Sequence, residues 1–463
     1  MVKAKNPSLA DFTQTLSNYK SSIFYKIIFI VYAYSSLTFH SHEKLNYASL
    51  NIRYRHTLTL MFWTHSLTNV CRMQASLHDN VNLKCYIAKL NLSKFGVTVI
   101  NISDDYFMGK ALELAKKGEG FTNPNPMVGA IVVKGNKIIG SGYHQKFGGE
   151  HAEVIAIDSC NANGATLYVT LEPCCHKGKT PPCTDKIIKS GIKKVVVGVR
   201  DPNPLVSGRG INTLKNNGIQ IVENILNDKC KEINNVFFHY ITTGLPYVVM
   251  KYAMTIDGKI ATRTGASKYI SGEESLNYVH KLRHKYSGIM VGINTVLADN
   301  PQLTCRIPGL TNPCRIICDT NLRTPLNLQI IETAKNIPTI IATASTNEHE
   351  WYKYLVNGVQ IVNVSRKDNV LDIKDLMKKL GALGIDSILL EGGSGLNWSA
   401  ISSGVVNKVM ASVSPKIFGG EKAITPIAGV GVDLPQNGYI LTNLKINRFG
   451  NDFLIEGDLC LQE

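Results

Sequence analysis

From residue 103 onward the spacing of apolar positions switches repeatedly between periods near 3.6 and near 2. DDYFMGKALELAKKG (104–118) places Phe107, Met108, Ala111, Leu112, Leu114 and Ala115 at helical spacing and stops at Gly118. VGAIVVKGNKIIGSGYH (128–144) reads as two strands joined by a Gly-Asn turn. There follow a helix over 151–160, a buried strand in ATLYVTLEP (165–173), a helix in TDKIIKSG ended by Gly191, and a strand in KKVVVGV (193–199). GINTLKNNG (210–218) is a further helix and IQIVEN (219–224) a strand. After TTGLP a second series begins with YVVMKYAMTIDGKIA (247–261). It continues through SGIMVG, RIICD, PTIIAT, VQIVNV and SILLEGG, with helices between several of them, and adds late strands in KVMASVSPKIFGG and FLIEGDLCL. Strands alternating with helices predict α/β domains built on parallel sheets. The boundary between the two series is expected near residue 245, giving domains over 101–245 and 246–463.

Residues 1–100 lack this punctuation. They hold one Gly and one Pro, and eleven Lys/Arg against three acids, Asp11, Glu43 and Asp79. About half of the chain's net charge of +15 therefore lies in its first fifth. IFYKIIFIVYAY (23–34) is interrupted by Lys26 and is too short for a membrane span. The segment reads as a poorly ordered extension or an overlong gene model; a targeting segment and a small domain are the alternatives. The rest of the chain is mildly basic, which suits anionic small substrates. It has no basic stripe interleaved with aromatics, so neither nucleic acid nor membrane is expected as a partner.

Eleven cysteines at irregular positions do not form a disulfide framework. Reduced thiols in an intracellular compartment, some of them bound to metal, fit better. His151-Ala152-Glu153 and Pro173-Cys174 match the two halves of the H-x-E…P-C-x-x-C pattern in which His and Cys hold zinc and Glu shuttles protons. Position 177 is Lys, so the x-x-C is missing. The third ligand must come from Cys175, His176 or Cys183. Cys175 adjoins Cys174 and is poorly placed to converge with it. Cys183 opens a helix, where a thiolate is stabilised, and is the best placed of the three. Three protein ligands leave a fourth position for water. Glu153 then stands where it can carry that water's proton to a ring nitrogen and on to departing ammonia.

The second series has no G-x-G-x-x-G after its first strand, so an ordinary dinucleotide fold is not expected. SILLE-GGSG-LNWSAISSG reads as strand, tight turn and helix, an arrangement whose backbone N–H groups suit a phosphate.

NPNPMVGAIVV (123–133), GSGYH (140–144), HAE (151–153), TLEPCCHKGKTPPC (170–183) and DPNPLVSGRG (201–210) stand beside TIDGKIA (255–261), NTVLADNPQLTCR (294–306) and LLEGGSGLN (389–397). With these words residues 103–463 resemble the bifunctional deaminase–reductase family of riboflavin biosynthesis. The resemblance implies a cytidine-deaminase-like three-layer α/β/α domain followed by a dihydrofolate-reductase-like α/β domain. It implies Zn2+ on His151, Cys174 and Cys183, with Glu153 catalytic, and NADPH in the second domain. The implied substrate is 2,5-diamino-6-ribosylamino-4(3H)-pyrimidinone 5′-phosphate, deaminated and then reduced to a ribityl compound. Family contacts to the deaminase substrate carry over to Asn125, His144 and Lys179, the last two suited to a phosphate. Cofactor contacts carry over to Ala253, Tyr269 (where many relatives have Trp), Thr295, Asp299, Thr320 and the run Gly393, Ser394, Gly395, Leu396, Asn397, Trp398 and Ser399. Reductase substrate contacts carry over to Ser267, Arg283, Leu303, Arg306 and Glu391. Lys251, Asp299 and Glu391 are the candidate proton donors. A cytoplasmic homo-oligomer is expected. Two rival readings are a nucleic-acid or nucleoside deaminase with a non-catalytic accessory domain, and a chain in which one half has lost catalysis.

Overall fold

The computed structural model describes residues 103–176, 181–204 and 206–460. The expectations for residues 1–100 lie outside the described residues.

The first domain begins with α1 (Asp104–Ala115), capped by Ser103, whose side chain accepts from the Tyr106 N–H. Such a cap is worth about 1 kcal/mol. The hairpin follows as β1 (Gly129–Lys134) and β2 (Lys137–Tyr143). Gly135 and Asn136 at its tip both take positive φ, as a tight turn between right-twisted strands requires. Then come α2 (Ala152–Asp158), β3 (Thr166–Leu171), α3 (Cys183–Lys189), β4 (Lys194–Val199), α4 (Arg209–Asn216) and β5 (Gln220–Val222). Two helices, α5 (Asn227–Ile233) and α6 (Asn235–Thr243), close the domain.

The sheet order is β2-β1-β3-β4-β5. Strands β3, β4 and β5 are parallel, as expected, but β1 runs antiparallel to both of its neighbours. A two-residue turn leaves no room for a crossover, so the hairpin imposes the reversal. The layers follow from the pleat. A Cβ on Gly129 would lie 2.0 Å from the Ala111 carbonyl oxygen of α1, and one on Gly142 would lie 2.6 Å from the Ala152 carbonyl oxygen of α2. Gly142 pairs with Ala130, so these positions point to opposite faces. Helices therefore cover both faces, and a single core of Met108, Ile131, Leu167, Val196 and Ile211 fills the domain.

The second domain starts at β6 (Tyr247–Thr255), followed by α7 (Glu273–Lys285), β7 (Gly288–Gly292), α8 (Ile293–Asp299) and β8 (Cys314–Cys318). Next are α9 (Gln329–Glu332), β9 (Thr339–Thr343), α10 (Glu348–Leu355), β10 (Val359–Asn363) and a small hairpin, β11 (Arg366–Lys367) with β12 (Val370–Leu371). The chain ends through α11 (Ile373–Ala382), β13 (Ser387–Gly392), α12 (Ser394–Ser402), β14 (Val406–Ser414), β15 (Leu441–Phe449) and β16 (Asp452–Leu459). Nine strands form one sheet, ordered β10-β9-β8-β7-β13-β6-β14-β16-β15. All pairs from β10 to β14 are parallel, and β16 and β15 complete the sheet antiparallel. Alternate residues serve opposite faces: Met290 joins one core, while Ile289 and Val291 join another.

The two domains meet along one seam. His284, near the end of α7, sets its ring edge-on to Phe121 at 4.6 Å. Its Nδ1 accepts from the Thr311 N–H at 3.1 Å, and the Thr311 hydroxyl donates to the Gly120 carbonyl at 3.3 Å. Gly120 has φ +75°, and a Cβ there would lie 2.4 Å from His284 Nε2. Lys285 pairs with Glu119 at 2.7 Å, and Asn123 Nδ2 donates to the Lys285 carbonyl at 3.0 Å.

Candidate active sites

At the first site, His151 is the N-cap of α2, Cys174 follows β3, and Cys183 is the first residue of α3. His151 Nδ1 lies 3.1 Å from Cys183 Sγ and 3.5 Å from Cys174 Sγ. The three candidate ligand atoms fall within 4.8 Å of one another. Ligands on a tetrahedral zinc, with Zn–S near 2.3 Å and Zn–N near 2.0 Å, stand roughly 3.5–3.8 Å apart, so the donor set fits the ion. The cluster's electrostatics point the same way. The Cys174 thiol is drawn down to about 4, first by its hydrogen bond with Cys183 and then, against burial, by His151. His151 is raised to about 8, chiefly by its hydrogen bond with Cys174, while Cys183 is pushed well up. Shared protons satisfy these crowded donors unevenly, whereas a divalent cation displaces the thiol protons and satisfies all three at once.

Glu153, on the first turn of α2, is 4% exposed, and burial raises its carboxyl to about 7. It reaches the Cys183 thiol. A nearby cation would pull this value down again, which favours a carboxylate ready to take a proton.

Asn125 and His144 come together beside this cluster. The His144 ring lies edge-on to His151 at 5.6 Å. Its Nδ1 contacts the Glu150 carbonyl at 2.9 Å, and its Nε2 meets Asn125 Nδ2 at 3.2 Å. A carbonyl can only accept, so Nδ1 carries the proton and Nε2 accepts from the Asn125 amide. His144 and Asn125 are thus held together beside the cluster. The ring is 3% exposed, burial lowers its pKa, and both nitrogens are engaged. Lys179 lies outside the described residues. Sequence reasoning missed Glu172, which is buried at the end of β3. It accepts from the Asp201, Gly208 and Ile211 N–H groups and so ties the 201–211 loop to the Cys174 turn. The only hint was an acid in an otherwise apolar strand end.

The second site is a cleft of about 1180 Å³ at the C-terminal ends of the parallel strands. Lys251, Ala253, Ser267, Tyr269, Arg283, Thr295, Asp299, Leu303, Arg306, Thr320, Glu391, Gly393, Ser394, Gly395, Leu396, Asn397 and Ser399 all line it. Trp398 does not. Its ring lies 6.4 Å from that of Tyr439 and covers Gly429. Asn397 lines the cleft but is buried, and its amide donates to the Pro426 carbonyl at 2.9 Å, bracing the turn. Gly393 caps α12 with φ 50°. Tyr269 is 79% exposed and forms an aromatic shelf at the rim. Arg283 grips Glu391 with two hydrogen bonds, 2.7 and 3.3 Å, and donates to the Thr304 carbonyl. Burial opposes the Glu391 charge, but Arg283 and Lys251 together hold its pKa below the usual range. Burial lowers the pKa of Lys251, with Glu391 pulling the other way.

Residues 101–199 match the cytidine and deoxycytidylate deaminase zinc-binding region, and residues 246–455 match the RibD C-terminal domain. The riboflavin biosynthesis protein RibD of Actinobacillus pleuropneumoniae is 49% identical over 77% of this chain and 95% of its own length. That of Aquifex aeolicus is 42% identical over 76% and 97%. Among solved structures, the diaminohydroxyphosphoribosylaminopyrimidine deaminase/5-amino-6-(5-phosphoribosylamino)uracil reductase of Thermotoga maritima is 40% identical with a TM-score of 0.67, covering 77% of this chain and 99% of that one. Acinetobacter baumannii RibD gives 33% and 0.71 over the same shares. The zinc-ready cluster, the reductase cleft and these matches agree: the chain belongs to the RibD family, in which a zinc-dependent deaminase and an NADPH-dependent reductase of riboflavin biosynthesis share one polypeptide.

Proposed function

We propose that residues 101–245 deaminate 2,5-diamino-6-ribosylamino-4(3H)-pyrimidinone 5′-phosphate and that residues 246–463 reduce the product's ribosyl group to ribityl, giving 5-amino-6-(5-phosphoribitylamino)uracil. The observation that carries the first half is a buried Glu153 beside His151, Cys174 and Cys183. His151, Cys174 and Cys183 would hold the zinc ion, which would supply a bound water with a pKa of about 7. Glu153 takes a proton from the attacking water, returns it to the ring nitrogen, and serves the amino group as it leaves as ammonia. Asn125, fixed by His144, positions the pyrimidine edge through its amide oxygen.

In the second half, NADPH supplies a hydride to the first ribose carbon. Gly393–Gly395, Thr295 and Tyr269, which line the cleft, would hold the cofactor. Arg283, Arg306, Ser267 and Leu303 hold the substrate. Lys251, Asp299 and Glu391 compete as proton donor, and the charge environment of the cleft supports Lys251 over Glu391. Glu391 is kept ionised by Arg283 and has no proton to give, whereas desolvation brings the Lys251 ammonium closer to release.

The chain is further read as a cytoplasmic homo-oligomer. Its described cysteines are free thiols, which suits a reducing compartment. Strand β15 at the sheet edge exposes Leu444 and Ile446, and Phe453 of β16 is exposed nearby. Light scattering tests the assembly. The activity test uses purified chain, the diamino-pyrimidinone phosphate and NADPH, following ammonia release and NADPH oxidation separately. Ammonia without NADPH oxidation would leave only the deaminase reading.

A further inference from the structure

The cleft of the second domain is chemically lopsided. Toward β6 it gathers Lys251, Glu391, Arg283 and Arg306; beyond β7, at the end of β8, it gathers Thr320, Arg323, Leu371 and Ile373. The Gly393 turn lies between, at the end of β13. A dinucleotide whose pyrophosphate rests on that turn and whose nicotinamide reaches the substrate residues must send its adenosine toward β8. That end lies two strand spacings away, about 10 Å. Val370 is the exposed apolar residue at this end, and Arg323 is the cationic group lining it.

We propose that Arg323 reads the adenosine 2′-phosphate and so sets the preference for NADPH over NADH. The inference rests on the NADPH reading of the cleft. Selection against a phosphate would call for a carboxylate aimed at the ribose hydroxyl. An acid is present at the strand end, Asp319, but it is turned inward. It is fully buried, with Oδ2 accepting from the Thr324 N–H and hydroxyl at 2.8 Å each. Its Oδ1 has no hydrogen bond and stands 3.9 Å from Arg323 Nε. The arginine lies within ion-pair range of this carboxylate but extends outward beyond it. Its side chain is 51% exposed, and its Nη2 donates to Asn294 Oδ1 at 3.3 Å. Among the described residues Nη1 makes no hydrogen bond, and the adjacent Thr320 hydroxyl makes none. A guanidinium fork with free donors beside a free hydroxyl matches a phosphate monoester. Arg366, the nearest rival cation, is spent on Asn321 Oδ1 at 2.8 Å and does not line the cleft.

Calorimetry on the full chain with 2′,5′-ADP, 5′-AMP, NADP+ and NAD+ tests this directly, without turnover. Arg323→Ala is expected to weaken 2′,5′-ADP and NADP+ by about 10- to 100-fold while 5′-AMP and NAD+ change by less than about twofold. Arg323→Lys should recover part of the loss, and Arg366→Ala should bind all four as the parent does. Equal weakening of both nucleotide classes in Arg323→Ala, or selectivity that follows Arg366, overturns the assignment. A parent chain that prefers NADP+ and an Arg323→Ala variant that keeps the preference overturn Arg323 alone. A parent chain with no preference overturns the NADPH reading along with it.

Discussion

The deaminase site draws its metal and proton-transfer groups from residues 151–183 and brings them into contact before any ligand arrives. The reductase site draws its lining from residues 251–454 and leaves a wide cleft between the strand ends. In the first, buried groups of conflicting charge preference are packed so tightly that their pKa values are driven apart. In the second, charge is neutralised locally by the Arg283–Glu391 pair, and the remaining surface is shaped for binding. The contrast reflects where each reaction's difficulty lies. Hydrolysis needs the protein to prepare water and move protons, while hydride transfer is carried by the cofactor and needs chiefly placement.

Substitutions that should damage one site and spare the other test this contrast. The largest effect is expected from Glu153→Gln, which removes the proton shuttle: ammonia release should fall by about 10³-fold or more, with zinc content and reduction of pre-deaminated substrate unchanged. Substantial residual turnover would point to another base. Next come the ligands. Cys174→Ser or Cys183→Ser should strip zinc, as measured by elemental analysis, and abolish deamination, while Cys175→Ser retains both; the reverse pattern would sink the ligand assignment. Gly393→Val places bulk where a Cβ would already lie 3.2 Å from Thr295 Oγ1, in a turn with φ 50°. It should weaken NADPH binding by about 10-fold or more and leave ammonia release intact.

Glu391→Gln leaves Arg283 unpaired in a largely buried position and should destabilise the reductase domain by about 3 kcal/mol. The folded pKa of Glu391 is depressed below the ordinary glutamate value, so the pair's contribution is fully present above that value and is lost as pH falls through the folded pKa. Melting curves should therefore show a constant gap between parent and variant above the ordinary glutamate pKa, about 4.3, that shrinks as pH falls below it. The smallest effect is expected from starting the chain at residue 101, where the deaminase match begins. Both activities should stay near the full rate, and loss of either after limited proteolysis would show that residues 1–100 contribute.

Local spacing made the first site legible. His-x-Glu at a helix start and a Pro-Cys after a strand carry their geometry with them, and Cys183 could be placed because a helix visibly begins there. Roles that depend on a second element were not legible. Nothing in GSGYH reveals that Glu150 and Asn125 will meet the two ring nitrogens of His144. Trp398 shares a run with residues that face the cleft, and only the path of residues 429–439 shows where its ring goes. The α/β architecture followed from period and punctuation. Strand β15 escaped because a mostly exposed edge strand has no buried face to impose alternation. The β1 reversal needed the hairpin's geometry to be weighed against the parallel pattern. Lys179 lies outside the described residues.

The seam between the domains constrains how this chain can change over generations. Position 120 has both a left-handed backbone and an imidazole 2.4 Å from any Cβ it acquires. Shrinking His284 first would remove the steric obstacle and leave only the backbone strain; altering Gly120 first would meet both. The two orders of substitution are thus unequal, and the pair should show coupling in a double-mutant cycle. Two catalysts whose chemistry is separable have in this way become mutually dependent in inheritance, with the reductase helix deciding which variants of the deaminase loop can survive.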